Sequence, residues 1–142
     1  MDIQINKTTI LSSGDIIMDI QIDKTTIDTI TKQLAEGNTH NVRLGYLLGK
    51  IEGENVIVEG VYVPQQKSDR ASSNISQEEQ LNAFKIIEND GKIIVGHALY
   101  NGPYAAYENS STELSRYKLS KQTGCPNIGL VVNSMGDYKL FK

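Results

Sequence analysis

Residues 92 to 99 constrain the fold most, because they form an apolar run of strand length between two groups of turn-forming residues. Asp90-Gly91 comes before the run, and residues 101 to 109, rich in tyrosine, follow it. A short apolar run bounded in this way is typical of a strand that is buried on both faces. We therefore predict a central strand over residues 92–99 and an irregular loop over residues 101–109.

The rest of the chain alternates between helical and strand periodicity. Ser76-Gln77-Glu78-Glu79 and Ser110-Ser111-Thr112-Glu113 are sequences of the capping-box type, and Asp23 is a residue type that caps helices. Helices are predicted at residues 24–36, 77–89 and 111–122, and further strands at residues 18–22, 43–50, 55–64, 128–132 and 138–141. The fold class is therefore α/β (α+β): a single domain with a central mixed β-sheet flanked by about three helices.

Composition excludes several classes of function. The chain has 142 residues and a net charge of −3, and charges of both signs are interspersed. This pattern gives no electrostatic basis for binding nucleic acid, and no apolar run is long enough to span a membrane. Cys125 is the single cysteine, and it fits a reducing, cytoplasmic environment and a structural role.

The first 27 residues contain an internal repeat. Residues 1–10 recur as residues 18–27, and the copies differ only at Asn6 and Asp23. Only the second copy leads into a helical pattern, so we expect a domain at residues 18–142 preceded by a flexible extension at residues 1–17. The extension is then a start-site or duplication artefact, with a turn at residues 12–14. The alternative is a spare strand that pairs with a neighbour's sheet edge.

Several short strings have the order and spacing of a known family. They are Gly45-Tyr46-Leu47-Leu48-Gly49-Lys50, Val61-Tyr62-Val63-Pro64-Gln65-Gln66, Ile93-Ile94-Val95-Gly96 and Leu130-Val131-Val132-Asn133-Ser134. Together they resemble the JAMM/MPN (Mov34/Pad1-type, JAB) domain family of zinc deubiquitinases. The resemblance covers residues 18–142 and implies an MPN, cytidine-deaminase-like fold.

In active members of that family a glutamate precedes the glycine string and a His-x-His-x7-Ser-x-x-Asp motif follows. Two imidazoles and a carboxylate hold zinc, the glutamate accepts a proton from the zinc-bound water, and the serine stabilises the oxyanion. The resemblance places Val42 at the glutamate, and Leu99 and Asn101 at the two histidines. With one residue inserted in the loop, Ser110 and Glu113 fall at the serine and the aspartate. Because valine and leucine can neither move a proton nor bind zinc, we expect no catalysis and no zinc cofactor.

A different set of residues could restore part of the metal site. His97 and Glu113 could act as zinc ligands if the loop shifted, and a further ligand would have to come from elsewhere, for example His40. Two protein ligands are fewer than the three of a catalytic zinc site, so we expect His97 to fill space that tryptophan occupies in the family. Ser110 is explained equally well as a helix cap.

The resemblance therefore implies a catalytically inactive scaffold or protein-interaction module. Its expected partner is a ubiquitin-like protein, an active MPN relative or a second copy of the chain. Tyr100, Tyr104 and Tyr107 flank the lost site and are candidates for partner binding, since tyrosine is enriched at binding hot spots. The alternative function is a metal-dependent isopeptidase with an altered metal site that acts on ubiquitin-like conjugates.

Overall fold

The computed structural model describes residues 2–10 and 16–142, with side chains from Asp19 onward. Within these residues the chain forms a seven-stranded mixed sheet, a short two-stranded ribbon and three helices. The strands are β1 (Asp2–Ile10), β2 (Ile16–Asp23), β3 (Val42–Glu52), β4 (Asn55–Tyr62), β5 (Lys67–Ser68), β6 (Ser73–Asn74), β7 (Ile93–Asn101), β8 (Gly129–Val132) and β9 (Tyr138–Phe141). The helices are α1 (Lys24–Ala35), α2 (Gln77–Asn89) and α3 (Ser110–Thr123). The predicted mixed α/β class is confirmed.

The order of strands in the main sheet is β1-β2-β4-β3-β7-β8-β9. The β2–β4 and β7–β8 pairs are parallel, and the remaining pairs are antiparallel. Strand β7 lies between β3 and β8, and it is buried from Val95 to Tyr100. The prediction of a buried central strand is therefore confirmed.

Helices cover both faces of the sheet. Side chains of successive strand residues point to opposite faces, so neighbouring residues of β3 pack against different helices. Leu47 packs on one face with Ile27, Ile30 and Leu34 of α1. On the other face, Tyr46 and its neighbours pack against α2 and α3 through a cluster that includes Leu48, Ala83, Ile87 and Leu119. This second face carries the cavities described below.

The helix starts were predicted well at two of three places. Asp23 caps α1 by accepting a hydrogen bond from the Thr26 amide at 2.7 Å, and Ser76 caps α2. At α3 the capping residue is Asn109, and Ser110 is the first helical residue. The predicted cap is thus one residue late, because two residue types that favour this position stand side by side.

The repeated segments lie next to each other in the sheet. Residues 2–10 form β1, which pairs with β2 in antiparallel orientation. Both copies have the alternation of a strand, and one extends the sheet of the other. The division into an extension at residues 1–17 and a domain at residues 18–142 stays a prediction. The turn predicted at residues 12–14 lies outside the described residues.

The segment between β4 and α2 contains β5 and β6. Asp69 forms the turn between them by accepting hydrogen bonds from the amides of Ala71 and Ser72, both at 2.8 Å. Among the residues that the structure describes, no helix is both long enough and apolar enough to cross a membrane.

Candidate functional site

Two adjoining cavities lie on the face of the sheet covered by α2 and α3. The smaller, of about 90 Å³, lies beside the first turn of α3, and the larger, of about 360 Å³, lies between α2 and α3. Leu44, Ser73 and Ser115 line both cavities. They therefore form one continuous cleft along β3 and α3, which we call the β3–α3 cleft.

The smaller cavity brings together the positions that the family resemblance equates with the proton acceptor and the zinc ligands. The antiparallel register of β3 and β7 places Val42 opposite Asn101, and Leu44 opposite Leu99. Since residues two apart share a face of the sheet, Leu99 and Asn101 face the same space. Val42, Leu99 and Asn101 all line this cavity.

The helix contributes different residues from those predicted. Asn109 and Thr112 line the smaller cavity, whereas Ser110 and Glu113 are exposed and do not. Asn109 Oδ1 accepts hydrogen bonds from the Thr112 amide at 2.8 Å and from the Thr112 hydroxyl at 3.0 Å. The same side chain thus starts the helix and orients Thr112 at the cavity.

This arrangement removes the need for an insertion in the loop. Asn101 is followed by seven residues and then Asn109, and two further residues precede Thr112. That spacing equals the family's His-x7-Ser-x-x-Asp without a gap. Asn109 and Thr112 thus match the spacing of the family motif, whereas Ser110 and Glu113 match its residue types more closely.

The lining of the smaller cavity is apolar or neutral. Leu99 and Val42 are 4% and 6% exposed, and the polar groups around them are hydroxyls and carboxamides. Across the residues that the structure describes, no group of three or more His, Cys, Asp or Glu is placed to hold a metal ion. The possible zinc ligands His97 and Glu113 do not meet in one cavity either. His97 lines the larger cavity, and Glu113 lines neither.

His97 lies at the floor of the larger cavity and is 4% exposed. It stands opposite Tyr46 of β3 and Gly129 of β8. Burial, and secondarily the positive charge of Arg116, lower the pKa of His97 to about 4. The imidazole is therefore neutral at physiological pH and offers one hydrogen-bond donor and one acceptor.

The wall of the larger cavity is rich in carboxamides and hydroxyls. Lys118 is the cation among the lining residues, and they include no carboxylate. The lining residues are Leu44, Tyr46, Ser73, Asn74, Ile75, Gln77, Gln80, His97, Ser115, Lys118, Leu119 and Gln122. Such a surface can donate and accept hydrogen bonds and attracts negative rather than positive ligands.

A carboxamide from the loop after β4 holds the edge of β3 beside the cleft. Gln66 Oε1 accepts a hydrogen bond from the Leu44 amide at 2.7 Å, and Gln66 Nε2 donates to the Leu44 carbonyl at 2.8 Å. The Gln66 side chain therefore bonds to β3 as a neighbouring strand would, beyond the last paired residue of β4, Tyr62. Gln66 belongs to one of the short strings that resemble the MPN family, but no local pattern predicts this role.

A buried ion pair fixes the loop that precedes α3. Glu108 and Arg116 have side chains that are only 4% and 6% exposed. Arg116 also donates hydrogen bonds to the carbonyl and the side chain of Asn127, at 3.0 and 2.7 Å. Gly129 lies against both charged side chains, with no room for a Cβ atom. This cluster was not predicted, because its members are not linked by any local pattern.

The tyrosine candidates separate into two groups. Tyr100 is 1% exposed and its hydroxyl donates to the Thr39 carbonyl at 3.2 Å, so it is a core residue. Tyr104 and Tyr107 are 52% and 58% exposed. Tyr100 is therefore too deeply buried to contact a partner, whereas Tyr104 and Tyr107 are accessible.

Two further residues considered for chemistry lie elsewhere. His40 is exposed on the loop before β3. Cys125 is 6% exposed in the cluster around Tyr46, where burial raises the pKa of its thiol. A buried thiol with a raised pKa is a poor nucleophile, in keeping with the structural role expected for Cys125.

Comparisons with known proteins add information on the fold. No protein-family profile and no curated protein matches the chain. Among the solved structures, 88 chains match. One of them, the solution structure of protein DSY2949 from Desulfitobacterium hafniense, is similar over 82% of this chain and 77% of that chain, with a TM-score of 0.57 and 16% identity. At this identity the likeness shows a shared fold alone.

Proposed function

We propose that the chain is a catalytically inactive, MPN-type protein-interaction domain whose β3–α3 cleft holds an extended segment of a partner protein. The observation that carries the proposal is the meeting of Val42, Leu99 and Asn101 around one small cavity that opens into a larger one. The family resemblance would put a reaction centre at this cavity, and Val42 and Leu99 can neither accept a proton nor bind zinc there, while the neighbouring cleft remains open.

The lining of the cleft suits an extended peptide. An extended backbone presents an amide N–H and a carbonyl at every residue, and a carboxamide can satisfy either group. Asn74, Gln77, Gln80 and Gln122 supply such groups along the larger cavity. Neutral His97 at the floor can do the same without introducing a buried charge.

The charge of the cleft favours a segment that ends in a carboxylate. Lys118 is the cation of the lining, and the lining lacks an opposing carboxylate. A ubiquitin-like protein with an extended C-terminal tail meets both requirements. Tyr104 and Tyr107, exposed on the loop before α3, are available to contact the folded part of such a partner.

A peptide-binding measurement tests this proposal. The probe is a fluorescently labelled C-terminal tail peptide of a ubiquitin-like protein, followed by anisotropy, and compared with the same peptide as a C-terminal amide. Ser115→Trp places a bulky ring where the two cavities join, and we expect it to abolish binding. Leu114→Trp is the matched control, because Leu114 is the next residue on α3 and is 51% exposed. Equal binding by both variants, or none by the parent protein, contradicts the proposal.

A metal measurement separates this proposal from the alternative isopeptidase. Protein purified without chelators is analysed for zinc and then titrated with zinc. The proposal expects no stoichiometric uptake, whereas tight zinc binding that is lost in His97→Ala and Glu113→Ala would overturn it. A cytoplasmic location belongs to the same proposal and rests on the single cysteine.

A further inference from the structure

We propose that β1 is a dimerisation strand: the β1 strands of two copies pair in antiparallel orientation, about a two-fold axis at Gln4, and join the two sheets. The inference rests on β1 and β2 and does not depend on the β3–α3 cleft. It names a second copy of this chain as the partner for this edge.

The outer side of β1 is available for pairing. Strand β1 is the first in the order of the main sheet, and within residues 2–10 and 16–142 it pairs with β2. A strand at the edge of a sheet has a row of backbone N–H and carbonyl groups directed away from its neighbour, and these can bind a further strand. The chemistry of that further strand then decides which partner fits.

The pairing of β1 with β2 demonstrates that this sequence pairs with its own copy. Gln4 stands opposite Gln21, which is the same position of the repeat, and Ile3 and Ile5 stand opposite Ile22 and Ile20. The pair is therefore nearly symmetric about the two glutamines. This symmetry arises because two copies of one sequence that pair in antiparallel orientation are related by a two-fold axis, which here passes between Gln4 and Gln21. Two β1 strands can adopt the same register, with Gln4 opposite the partner's Gln4.

The difference between the two copies favours pairing of β1 with itself. In the proposed register, Asp2 stands opposite the partner's Asn6, and the two-fold axis produces this neutral contact twice. The pairing of β1 with β2 within one chain instead places Asp2 opposite Asp23. Like charges directly opposite each other destabilise a sheet. Asn6 is the position at which β1 lacks a carboxylate of β2.

The interface is short. The register between β1 and β2 shifts between Asn6 and Thr9, so the regular part of β1 covers residues 2–6. Pairing over so few residues predicts an association that depends on protein concentration, with the isoleucines of both copies continuing one face of the joined sheet. The dimer should therefore respond strongly to the charge at residues 2 and 6.

Two charge variants separate dimerisation from the attachment of β1. In Asn6→Lys, the new lysine stands opposite the partner's Asp2, and since the contact occurs twice we expect a dimer about tenfold tighter. In Asp2→Lys/Asn6→Lys, like charges face each other across the dimer, so we expect a monomer. Within one chain the same lysines stand opposite Asp23 and Asp19, so β1 should stay paired with β2. Asn82→Lys, on the exposed side of α2, is the matched charge control.

The variants are compared by sedimentation velocity over a range of concentrations, using the full chain. Gln4→Cys adds an independent test of register, because residues opposite each other across a two-fold axis have the spacing of a disulfide. We expect rapid oxidation of Gln4→Cys to a covalent dimer and slow oxidation of Asn82→Cys. A parent chain that stays monomeric at all concentrations, together with equal oxidation of both cysteine variants, overturns the proposal. Dimers that are unchanged in the double lysine variant overturn it as well.

Discussion

The Arg116 guanidinium forms a two-point ion pair with the Glu108 carboxylate, with Nε–Oε2 and Nη2–Oε1 distances of 3.0 and 2.7 Å. The pair joins the end of the irregular loop to the second turn of α3, and the contacts of Arg116 with Asn127 extend it to the start of β8. Because both side chains are buried, each charge depends on the other for its solvation. The loop that follows β7 is thus held by electrostatics as well as by packing.

Removing one member of this pair should destabilise the protein strongly. Glu108→Gln leaves the guanidinium without its counter-charge in a buried site, and we expect the free energy of unfolding to fall by about 3–5 kcal/mol. Arg116→Met together with Glu108→Leu removes both charges and should cost less than either single change. Urea denaturation of Glu108→Gln, of the single variants Glu108→Leu and Arg116→Met, and of the double variant measures this. Additive losses in the double variant would mean that the two charges do not depend on each other.

The spacing of Asn101, Asn109 and Thr112, which equals that of the family motif, predicts where a zinc site can be built. Leu99→His, Asn101→His and Thr112→Asp together place two imidazoles and one carboxylate around the smaller cavity, and we expect near-stoichiometric zinc retained after dialysis. The matched variant replaces Thr112→Asp by Glu113→Asp and keeps both histidines. It should bind zinc weakly, because Glu113 is exposed and does not line the cavity. Equal zinc content in the two folded proteins would contradict the assignment of Thr112.

The buried imidazole predicts a pH dependence of stability. The pKa of His97 is about 4 in the folded chain, against 6.5 for an ordinary histidine. Between these two values the unfolded chain binds a proton that the folded chain does not, so stability falls as the pH is lowered through this window. The loss amounts to about 3 kcal/mol, and above pH 6.5 the group has no effect.

The measurement compares unfolding free energies at several pH values between 4 and 7. We expect His97→Gln to reduce the slope in this window, because the variant lacks the buried imidazole. An NMR titration of the His97 ring in the folded protein provides an independent value. A midpoint near the ordinary pKa would refute the predicted effect of burial.

Close packing between β3 and β4 predicts a strong effect of one methyl group. A Cβ atom at Gly49 would overlap the Ile57 carbonyl, whereas a Cβ atom at Gly60 would meet no atom within 4 Å. We expect Gly49→Ala to lower the free energy of unfolding by at least about 2 kcal/mol, because backbone atoms must move. Gly60→Ala should change it by less than about 0.5 kcal/mol. Chemical denaturation of both variants decides whether the close approach is as tight as described.

Most helices and strands could be predicted because their signals are local. Residues 92–99 predict a buried strand because they are apolar and bounded by turn-forming residues, and the structure has β7 there, at Ile93–Asn101. The error at α3 is also local, because Asn109 and Ser110 are adjacent residues of the capping type. In the folded chain it is the Asn109 side chain that accepts a hydrogen bond from a first-turn amide, that of Thr112. The pairing of the two repeat copies was missed because a sequence repeat does not say whether its copies pack together.

The sequence by itself determined the alternation of helices and strands and the mixed α/β class. It also determined that the side chains at positions 42 and 99 cannot bind zinc. Tertiary structure alone decided that Asn109 and Thr112, rather than Ser110 and Glu113, face the cavity. It also decided that Glu108 finds Arg116 and that Tyr100 lies in the core. Helical and strand periodicities arise within a few residues, whereas a cavity or a buried ion pair depends on strand register and helix rotation, which only the packed sheet fixes.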